Sequence, residues 1–423
     1  MLQLNYIREN RNLVVERLAV KNFRQIELVD QIIALDEKRR KIQNQSDSIA
    51  AEANSSAKKI GDLMRQGKSE EAEQMKSRSA AYKEEIKSLG ESLEGVEKEL
   101  QDKLVQLPNL PSSAVPNGDG PEDNEIVHQQ GIAPTLQADA LPHWELAAKY
   151  HIIDLELGTK VAGAGFPIYK GKGARLQRGL INFFLDHAVS AGYHEVQVPI
   201  VVNETSAYST GQLPDKEGQM YHIGNDDLYL IPTAEVPITN MYRDVIVSRE
   251  DFPIKHCGYT PCFRREAGSY GAHVRGLNRL HQFDKVELVQ IVHPDSSYET
   301  LEDMSRYVQS LLNTLGLPFR VLRLCGGDMG FTSAMTYDME TYSAAQKRWL
   351  EVSSVSNFES YQANRLKVRF KGDDGRTQLA HTLNGSALAL PRIVATLLEN
   401  NQTSRGIKIP DCLVPYVGFE YID

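Results

Sequence analysis

The sequence predicts an α+β protein, in which a long antiparallel α-helical coiled-coil arm precedes an antiparallel β-sheet flanked by helices. A heptad pattern over residues 70–104 indicates the arm. A stretch rich in Pro, Gly, Ser and Asn over residues 105–125 indicates a linker. Beyond it, short strand-like runs with helices placed irregularly among them favour an antiparallel sheet. We therefore expect a helical arm over residues 1–104 and a second domain over residues 126–423.

The arm is predicted from the spacing of its apolar positions. In residues 70–104 they recur at alternating intervals of four and three residues, as Met75, Ser79, Tyr82, Ile86, Leu89, Leu93, Val96 and Leu100. Residues 27–62 are also almost free of Gly and Pro but have a weaker seam. A short turn around Gly67 requires the two helices to pack antiparallel. At about 1.5 Å per residue, the arm is about 50 Å long.

Basic side chains are concentrated on the first of these helices. Four form one run and three lie nearer the tip: Lys38, Arg39, Arg40 and Lys41, then Lys58, Lys59 and Arg65. A charge run is most often only a solvated helix face. Because an arm of this length has little core to protect, we favour a second interpretation, in which it reaches towards a large partner.

Composition and charge exclude several classes of protein. Of the 423 residues, 41% are apolar and 24% are charged, which is ordinary for a globular protein with a core of its own. The formal net charge of −9 means that any nucleic-acid surface must be local. The four cysteines form no CxxC pair, which argues against a disulfide framework or a cysteine metal site. Without a signal-like or membrane-length apolar run, we expect a cytoplasmic protein with no membrane partner.

The second domain contains predicted helices at "GARLQRGLINFFLDHAVSAGY" and "MSRYVQSLLNTLG". Its strand-like runs are "HEVQVPIVV", "DLYLIPTAEV", "YTPCFRRE", "LHQFDKVELVQIV", "PFRVLRLCGG", "KRWLEVSSVSN" and "LKVRFKG". The stretch nearest to a phosphate loop, "AGAGFPIYKGKGARLQRG", fails both nucleotide patterns, since Phe166 and Leu176 stand where glycines are required and Gly173 follows Lys172. Any ATP must therefore be held by something other than a P-loop.

Charged and aromatic side chains recur at alternate positions of these runs. Because successive side chains of a strand point to opposite faces, three sets are each expected to share one face: Arg264 with Glu266 (and Arg265 opposite), Thr233 with Glu235, and Phe283 with Lys285 and Glu287. A guanidinium matches a phosphate or carboxylate, and a carboxylate can accept from an amino group. The same residues could instead pair with one another structurally, and each set taken singly leaves both interpretations open.

Seven stretches, in order, resemble bacterial seryl-tRNA synthetases, a family of class II aminoacyl-tRNA synthetases, over essentially the full length of the chain. They are "TGQLP" (210–214), "LYLIPTAEVP" (228–237), "YTPCFRREAGSYG" (259–271), "HQFDKVEL" (281–288), "GDMGF" (327–331), "EVSSVSN" (351–357) and "NGSALA" (384–389). The resemblance implies a class II catalytic domain that activates L-serine with ATP to seryl-adenylate and passes the seryl group to the 3′ end of tRNA(Ser). A selenocysteine tRNA, tRNA(Sec), is a further possible substrate.

The resemblance also implies roles for particular residues. Arg264, Glu351 and Arg392 are the expected catalytic residues, with Arg264 on the α-phosphate and the serine carboxylate and Arg392 on the γ-phosphate. Glu266 would accept from the adenine amino group and Phe283 would stack on the ring. The remaining expected ATP contacts are Arg265, Val352, Ser353 and Ser354. The expected serine-binding residues, besides Arg264, are Thr233, Ala234, Glu235, Glu287, Asn384 and Ser386.

The resemblance further implies magnesium on Glu351, with Ser354 as a second ligand. Ser354 ranks lower, because strict alternation places it on the opposite face of the strand. Proline is tolerated only in the first turn of a helix, so the helix that carries Arg392 should begin near Pro391.

In this family the arm lies along tRNA, which fits the shape-based recognition of duplex RNA. "GYHEVQVPIVV" (192–202) resembles the motif of the class II dimer interface and implies a homodimer. Two alternatives are an aminoacyl ligase for a carrier protein and a non-catalytic RNA-binding dimer. The arm argues against the first, and the retained ATP residues argue against the second.

Overall fold

The computed structural model describes residues 1–266 and 274–423, so the last residues of the "YTPCFRREAGSYG" stretch, from 267 on, lie outside it. The chain forms two compact units. One comprises Met1–Ala19 and Phe23–Pro108, and the other comprises Val20–Asn22 and Asn109–Asp423. Among the described residues, no helix combines the length and the apolar character needed to span a membrane.

The first unit is helical. Its helices are α1 (Leu4–Glu9), α2 (Arg11–Val20), α3 (Glu27–Arg65) and α4 (Ser69–Leu104). Gly67, with φ +74°, lies in the turn between α3 and α4. Two hydrogen bonds fix the antiparallel register: the Lys103 ammonium donates to the Gln31 amide oxygen at 2.9 Å, and the Tyr82 hydroxyl donates to the Glu52 carboxylate at 2.8 Å. The eight heptad positions predicted on α4 are all buried or half-buried, which confirms the seam.

The weaker seam of α3 has a structural reason. Buried positions on this helix are occupied by the polar residues Asp36 and Ser56, whereas Ile26 is exposed. The Asp36 carboxylate, 1% exposed, accepts from the guanidinium groups of Arg8 at 2.7 Å and Arg39 at 2.9 Å. A buried charge is tolerated when it is paired and hydrogen-bonded in this way. A search for apolar spacing alone misses this position.

The second unit contains nine α-helices and eighteen strands among its described residues. The helices are α5 (His143–Lys149), α6 (Leu155–Ala162), α7 (Gly171–Ser190), α8 (Glu204–Thr210), α9 (Glu235–Asn240), α10 (Ser297–Thr314), α11 (Ser360–Leu366), α12 (Leu390–Asn400) and α13 (Val414–Val417). The strands are β1 (Glu125–Gln130), β2 (Ile153–Asp154), β3 (Ile168–Tyr169), β4 (His194–Glu195), β5 (Val201–Asn203), β6 (Tyr221–Ile223), β7 (Leu228–Leu230), β8 (Ile246–Val247), β9 (Ile254–Phe263), β10 (Gln282–Val292), β11 (Phe319–Arg323), β12 (Met335–Ser343), β13 (Arg348–Asn357), β14 (Arg369–Lys371), β15 (Thr377–Leu379), β16 (His381–Ala389), β17 (Ile407–Lys408) and β18 (Tyr421–Ile422).

Eight of the described strands form the main sheet, in the order β1-β11-β12-β13-β16-β10-β9-β4. Every neighbouring pair is antiparallel except β4 with β9, which is parallel. The apolar face of α7, with Leu176, Leu180, Phe183 and Phe184, is buried in a core that also takes in α10 and α12. The expected antiparallel sheet with flanking helices is confirmed.

The stretch before β1 is packed rather than loose. The Asn109 amide donates to the carbonyl oxygens of Thr332 at 2.9 Å and Phe358 at 2.8 Å, and Val115 is part of the core. The Pro-, Gly-, Ser- and Asn-rich composition predicted a linker between domains over residues 105–125. Its burial depends on partners more than two hundred residues away.

Three predicted strands are shorter than expected. The run "HEVQVPIVV" is divided into β4 and β5, with Pro199 between them. The run "YTPCFRRE" ends as a strand at Phe263. In the run "DLYLIPTAEV", β7 ends at Leu230 and α9 begins at Glu235. The prediction that "TAE" is an extended segment was therefore wrong. Proline supplies no N–H to a strand ladder, and Pro232 follows β7 almost directly.

Candidate active site

A cavity of about 490 Å³ lies on one face of the main sheet and brings together most of the predicted site residues. The predicted residues that line it are Thr233, Glu235, Arg264, Glu266, Phe283, Glu287, Glu351, Val352, Ser353, Ser354, Asn384, Ser386 and Arg392. They lie on β10, β13 and β16, directly after β9, directly before or at the start of α9, and in the first turn of α12. Residues separated by up to 159 positions in the chain therefore meet in one volume.

Two predicted residues are not among those that line the cavity. Arg265 lies just beyond β9, and its backbone N–H donates to the Gln219 carbonyl at 2.9 Å. Ala234 is fully buried in a small apolar cluster with Ile238 and Val289.

Arg264 and Phe283 form one end of the cavity. The guanidinium carbon of Arg264 lies 5.4 Å from the centroid of the Phe283 ring, within the range of a cation–π contact. The Arg264 backbone N–H donates to the His281 carbonyl at 3.0 Å, which continues the β9–β10 pairing by one residue beyond Phe263. Glu266 adopts φ +47°, so the expected strand alternation does not extend to it, although Arg264 and Glu266 do share the cavity.

Arg279 is a cavity residue that sequence reasoning missed. Its Nη1 donates to the Glu266 carboxylate at 2.7 Å. The stretch that contains it carries no periodic pattern and follows the residues that the structure does not describe. Only the fold brings its guanidinium to the carboxylate predicted for adenine. Gln212, Glu217 and Gln219 also line the cavity without having been predicted, although "TGQLP" pointed to the first of them.

The predicted face of β10 is confirmed, since Phe283, Lys285 and Glu287 all line the cavity. The Lys285 ammonium lies 2.5 Å from the Glu287 carboxylate and donates to the Thr233 hydroxyl at 3.0 Å. That hydroxyl in turn donates to Glu287 at 3.1 Å. All three residues are at most 6% exposed, so this closed polar triad is shielded from water. Shielding strengthens its electrostatic effect on a bound group.

Glu235 is a second buried carboxylate that lines the cavity. It is the first residue of α9, and its backbone N–H donates to the Thr233 hydroxyl at 3.2 Å. The Gln362 amide donates to its Oε1 at 2.6 Å. Burial raises the pKa of Glu235 to about 7, with the Glu287 charge acting in the same direction. Lowering influences from Gln362, Lys285 and Arg264 offset this only in part.

Glu351 and Ser354 lie on the same face of β13, and the expectation that they face opposite ways was wrong. Glu351 is opposite Glu340 and Ser354 is opposite Asp338, with a β-bulge between the two pairs. Because Asp338 and Glu340 are two residues apart, they share a face, and so do their partners. The bulge adds one residue to β13, so that the side chains of Glu351 and Ser354 point to the same side of the sheet.

The oxygens of Glu351, Ser354 and Asp338 are of the kind that could hold a magnesium ion. The Asp338 Oδ1 atom is buried and has no hydrogen-bond partner in the described structure. Burial, followed by the nearby Glu351 charge, raises the pKa of Asp338 well above its ordinary value. Among the described residues, no three His, Cys, Asp or Glu side chains form a metal cage. Mg²⁺ is commonly held by one or two carboxylates together with phosphates, so the absence of a cage is compatible with it.

Arg392 reaches the cavity from the start of α12. The helix begins at Leu390, with Pro391 in its first turn, as predicted. The Arg392 guanidinium donates to the Glu351 carbonyl at 2.7 Å and to the Asn278 carbonyl at 3.1 Å, and it lies 3.5 Å from the Glu351 carboxylate. Pro391 therefore leaves Arg392 directed at the predicted metal residue.

The basic residues predicted on the arm are mostly exposed. Lys38, Arg40, Lys41, Lys58, Lys59 and Arg65 are exposed on α3. Arg39 differs, because it is half-buried against Asp36.

Comparison with known proteins supports the same family. The family described as "Seryl-tRNA synthetase N-terminal domain" matches residues 1–111, and "tRNA synthetase class II core domain (G, H, P, S and T)" matches residues 220–401. The chain is 51% identical to the serine–tRNA ligase of Salinibacter ruber, covering 100% of this chain and 99% of that protein. It is 44% identical to the corresponding ligase of Akkermansia muciniphila, with the same coverage.

The fold agrees with these matches. A crystal structure of seryl-tRNA synthetase from Pyrococcus horikoshii, complexed with ATP, superposes on this chain with a TM-score of 0.92 at 31% identity, covering 99% of each chain. With full-length relatives of this similarity, two matching domains and a cavity that unites the predicted residues, the chain belongs to the seryl-tRNA synthetase family.

Proposed function

We propose that this chain activates L-serine with ATP and then charges tRNA(Ser). Serine and ATP give seryl-adenylate and pyrophosphate, and the seryl group next passes to a ribose hydroxyl at the tRNA 3′ end. The observation that carries the proposal is the cavity in which the guanidinium groups of Arg264 and Arg392 and the ring of Phe283 lie beside the buried polar triad of Lys285, Glu287 and Thr233. One end suits a nucleotide triphosphate and the other suits an amino acid.

At the nucleotide end, Phe283 offers a face on which adenine stacks, and Glu266 accepts from the adenine amino group. Arg264 lies over Phe283, from where its guanidinium can grip the α-phosphate and the serine carboxylate. When a serine carboxylate oxygen forms its bond to the α-phosphorus, the bond to the leaving pyrophosphate breaks, and negative charge accumulates on the phosphate oxygens. Arg264 and Arg392 stabilise that charge, so no protein nucleophile is needed. Arg265, Val352 and Ser353 are proposed as lesser ATP contacts.

Magnesium would be held by Glu351 and Ser354, which the bulge in β13 places side by side. Bound there, it would neutralise phosphate charge on the ATP. The residues of this chain orient the site themselves: the Arg392 guanidinium bonds to the Glu351 carbonyl and holds that part of β13 against α12.

At the other end, the carboxylates of Glu235 and Glu287 would meet the serine ammonium and hydroxyl, with Thr233, Asn384 and Ser386 completing the contacts and Ala234 shaping the wall behind them. A site that hydrogen-bonds a hydroxyl rejects an analogue without it by about 10⁴–10⁵, because its buried polar groups are left unpaired. The buried carboxylates of Glu235 and Glu287 are such groups, and alanine would offer them no hydroxyl.

The arm would bind tRNA through exposed basic side chains that face its phosphates: Lys38, Arg40, Lys41, Lys58, Lys59 and Arg65. Arg39 would contribute less, because its guanidinium is paired with Asp36. We further propose a division into residues 1–104, 105–125 and 126–423, a homodimer formed through residues 192–202, a cytoplasmic location and tRNA(Sec) as a second substrate.

Amino-acid-dependent exchange of pyrophosphate into ATP tests the first step. Exchange with serine, and not with alanine, is expected. No exchange with serine would remove the proposed activity.

A second assay addresses the acceptor. Purified tRNA(Ser) should accept labelled serine, and a carrier-protein ligase would instead charge a carrier protein. A variant lacking residues 30–100 should retain exchange and lose tRNA charging. Equal loss of both activities would contradict this division of labour.

A further inference from the structure

A buried hydrogen-bond network lies next to the nucleotide end of the cavity, and its central residues have no role in the proposal above. At its centre is the carboxylate of Glu399 on α12, which is fully buried. It accepts from the backbone N–H of His143 at 2.8 Å, from His143 Nδ1 at 2.7 Å and from Gln346 Nε2 at 2.9 Å. The Ser343 hydroxyl donates to its other oxygen. A carboxylate enclosed by four donors fixes their positions, since such bonds are short and directional.

The tautomer of His143 follows from its second contact. The backbone N–H of Leu277 points at Nε2, 2.8 Å away. Because a backbone N–H can only donate, Nε2 must be the acceptor, and the ring proton lies on Nδ1, where it is donated to Glu399. His143 thus joins a fully buried carboxylate to the main chain of Leu277.

Gln346 makes a parallel connection. Its Nε2 donates to Glu399, and its Oε1 accepts from the side-chain amide of Asn278 at 2.9 Å. The carbonyl of Asn278 then accepts from Arg392 at 3.1 Å. Glu399 and Arg392 are both on α12, seven residues apart and therefore on the same side of the helix.

Residues 277–279, which we call the nucleotide segment, all line the cavity. His143 accepts from Leu277 of this segment, and Gln346 and Arg392 both bond to Asn278. Gly276 permits the close approach, because it adopts φ +72° and a Cβ there would lie 2.2 Å from His143 Nε2. The last residue of the segment, Arg279, pairs with Glu266, the proposed acceptor for adenine.

We infer that Glu399 and His143, with Gln346, are positioning residues for ATP: they hold the nucleotide segment so that Arg279, Glu266 and Arg392 present a preformed surface to the nucleotide. None of the three is among the residues that line the cavity. This inference rests on the proposed function. It adds that residues outside the cavity set the affinity for ATP by positioning the residues that line it. A misplacement of about 1 Å in a supporting shell is enough to cost a site much of its efficiency.

Two substitutions of His143 separate its two hydrogen bonds. His143→Asn retains a donor where Nδ1 faces Glu399 but loses the acceptor for Leu277, whereas His143→Gln can present an amide oxygen near the position of Nε2. We expect His143→Asn to raise the KM for ATP in serine-dependent exchange about tenfold, the equivalent of one hydrogen bond. The KM for serine should stay as in wild type. His143→Gln should recover most of the ATP affinity.

Gln346→Ala provides a milder test, because Gln346 is half-buried in the turn between β12 and β13 and its removal leaves His143 in place. It should raise the KM for ATP in the same selective way. As a matched control, His381→Asn removes a histidine that is hydrogen-bonded to Ser297 at 2.9 Å and is not a cavity residue. It should lower the melting temperature without an ATP-specific change.

Three results would overturn the inference: equal increases of both KM values in His143→Asn, equal impairment of His143→Asn and His143→Gln, or an unchanged KM for ATP in Gln346→Ala. Wild-type exchange is measured first. If the wild-type protein shows no exchange with serine, the proposed function is wrong. If it does exchange, the KM for ATP in the variants tests the role of the nucleotide segment by itself.

Discussion

Ser354 and Glu351 are brought to the same face of β13 by a β-bulge, opposite Asp338 and Glu340 respectively. Three residues apart in a regular strand, they would point in opposite directions. The bulge therefore converts a serine that simple alternation discounts into a neighbour of the proposed metal carboxylate. β-Bulges often re-aim side chains next to active sites.

Ser354→Ala should raise the magnesium concentration that gives half-maximal serine-dependent exchange of pyrophosphate into ATP. The expected increase is about tenfold, the scale on which a metal site responds to loss of a supporting ligand. Ser353→Ala is the matched comparison, because the Ser353 hydroxyl donates to the Ser386 carbonyl at 2.7 Å instead. Magnesium dependence is measured by titration at saturating ATP and serine. Equal shifts in both variants would show that the bulge does not decide the metal ligands.

Arg264→Ala should reduce exchange by about 10²–10³-fold, since it removes a charge that stabilises the transition state. Arg265→Ala should reduce it far less, because Arg265 is not among the residues that line the cavity. Turnover is compared for the two purified variants after circular dichroism shows that both are folded. A larger loss in Arg265→Ala would place the α-phosphate elsewhere.

Glu235 should make stability depend on pH. Its folded pKa, about 7, lies above its ordinary value of 4.5, so the folded state holds its proton more tightly. The contribution of this group to stability is therefore fully present below about pH 4.5 and is lost as pH rises through about 7. Glu235→Gln removes this loss, and we expect it to stabilise the chain by up to about 3 kcal/mol at pH 8 but not at pH 4.5.

The same substitution should abolish serine-dependent exchange, because it removes a carboxylate proposed for the serine ammonium. Thermal melting at the two pH values, together with exchange at pH 8, measures both effects. A variant that is less stable than wild type at pH 8 would contradict the burial argument.

Replacing Lys38, Arg40 and Lys41 together by alanine should weaken tRNA binding and leave exchange intact. The slope of log affinity against log salt should become shallower by about one for each side chain that no longer neutralises a phosphate. Filter binding at several salt concentrations measures the slope. An unchanged slope would mean that these side chains are only a solvated face, which is the first of the two interpretations of the charge run.

Asp36→Ala should destabilise the arm by about 2 kcal/mol, because it leaves the half-exposed guanidinium groups of Arg8 and Arg39 without their buried partner. Hydrogen exchange of α3 amides measures the local effect. Asp30→Ala is the control: Asp30 pairs with Arg11 on the surface, and exposed pairs contribute little. Equal effects of the two substitutions would show that burial of Asp36 does not matter.

The sequence by itself determined the elements whose pattern is local. The heptads of α4, the amphipathic face of α7 and the shared face of Phe283, Lys285 and Glu287 follow from periods of 3.5, 3.6 and 2 residues, which the backbone imposes wherever a helix or strand forms. The position of Pro391 likewise fixed the start of α12, since proline is tolerated only in the first turn.

The tertiary structure decided what depends on partners distant in the chain. The bulge in β13 exists only against β12, Asp36 meets Arg8 only because two different helices pack together, and Arg279 meets Glu266 only through the fold. No local period encodes these relationships, because each depends on hydrogen bonds between residues that become neighbours through packing. For the same reason the Glu399–His143 network, which joins residues 256 positions apart, could be found only in three dimensions.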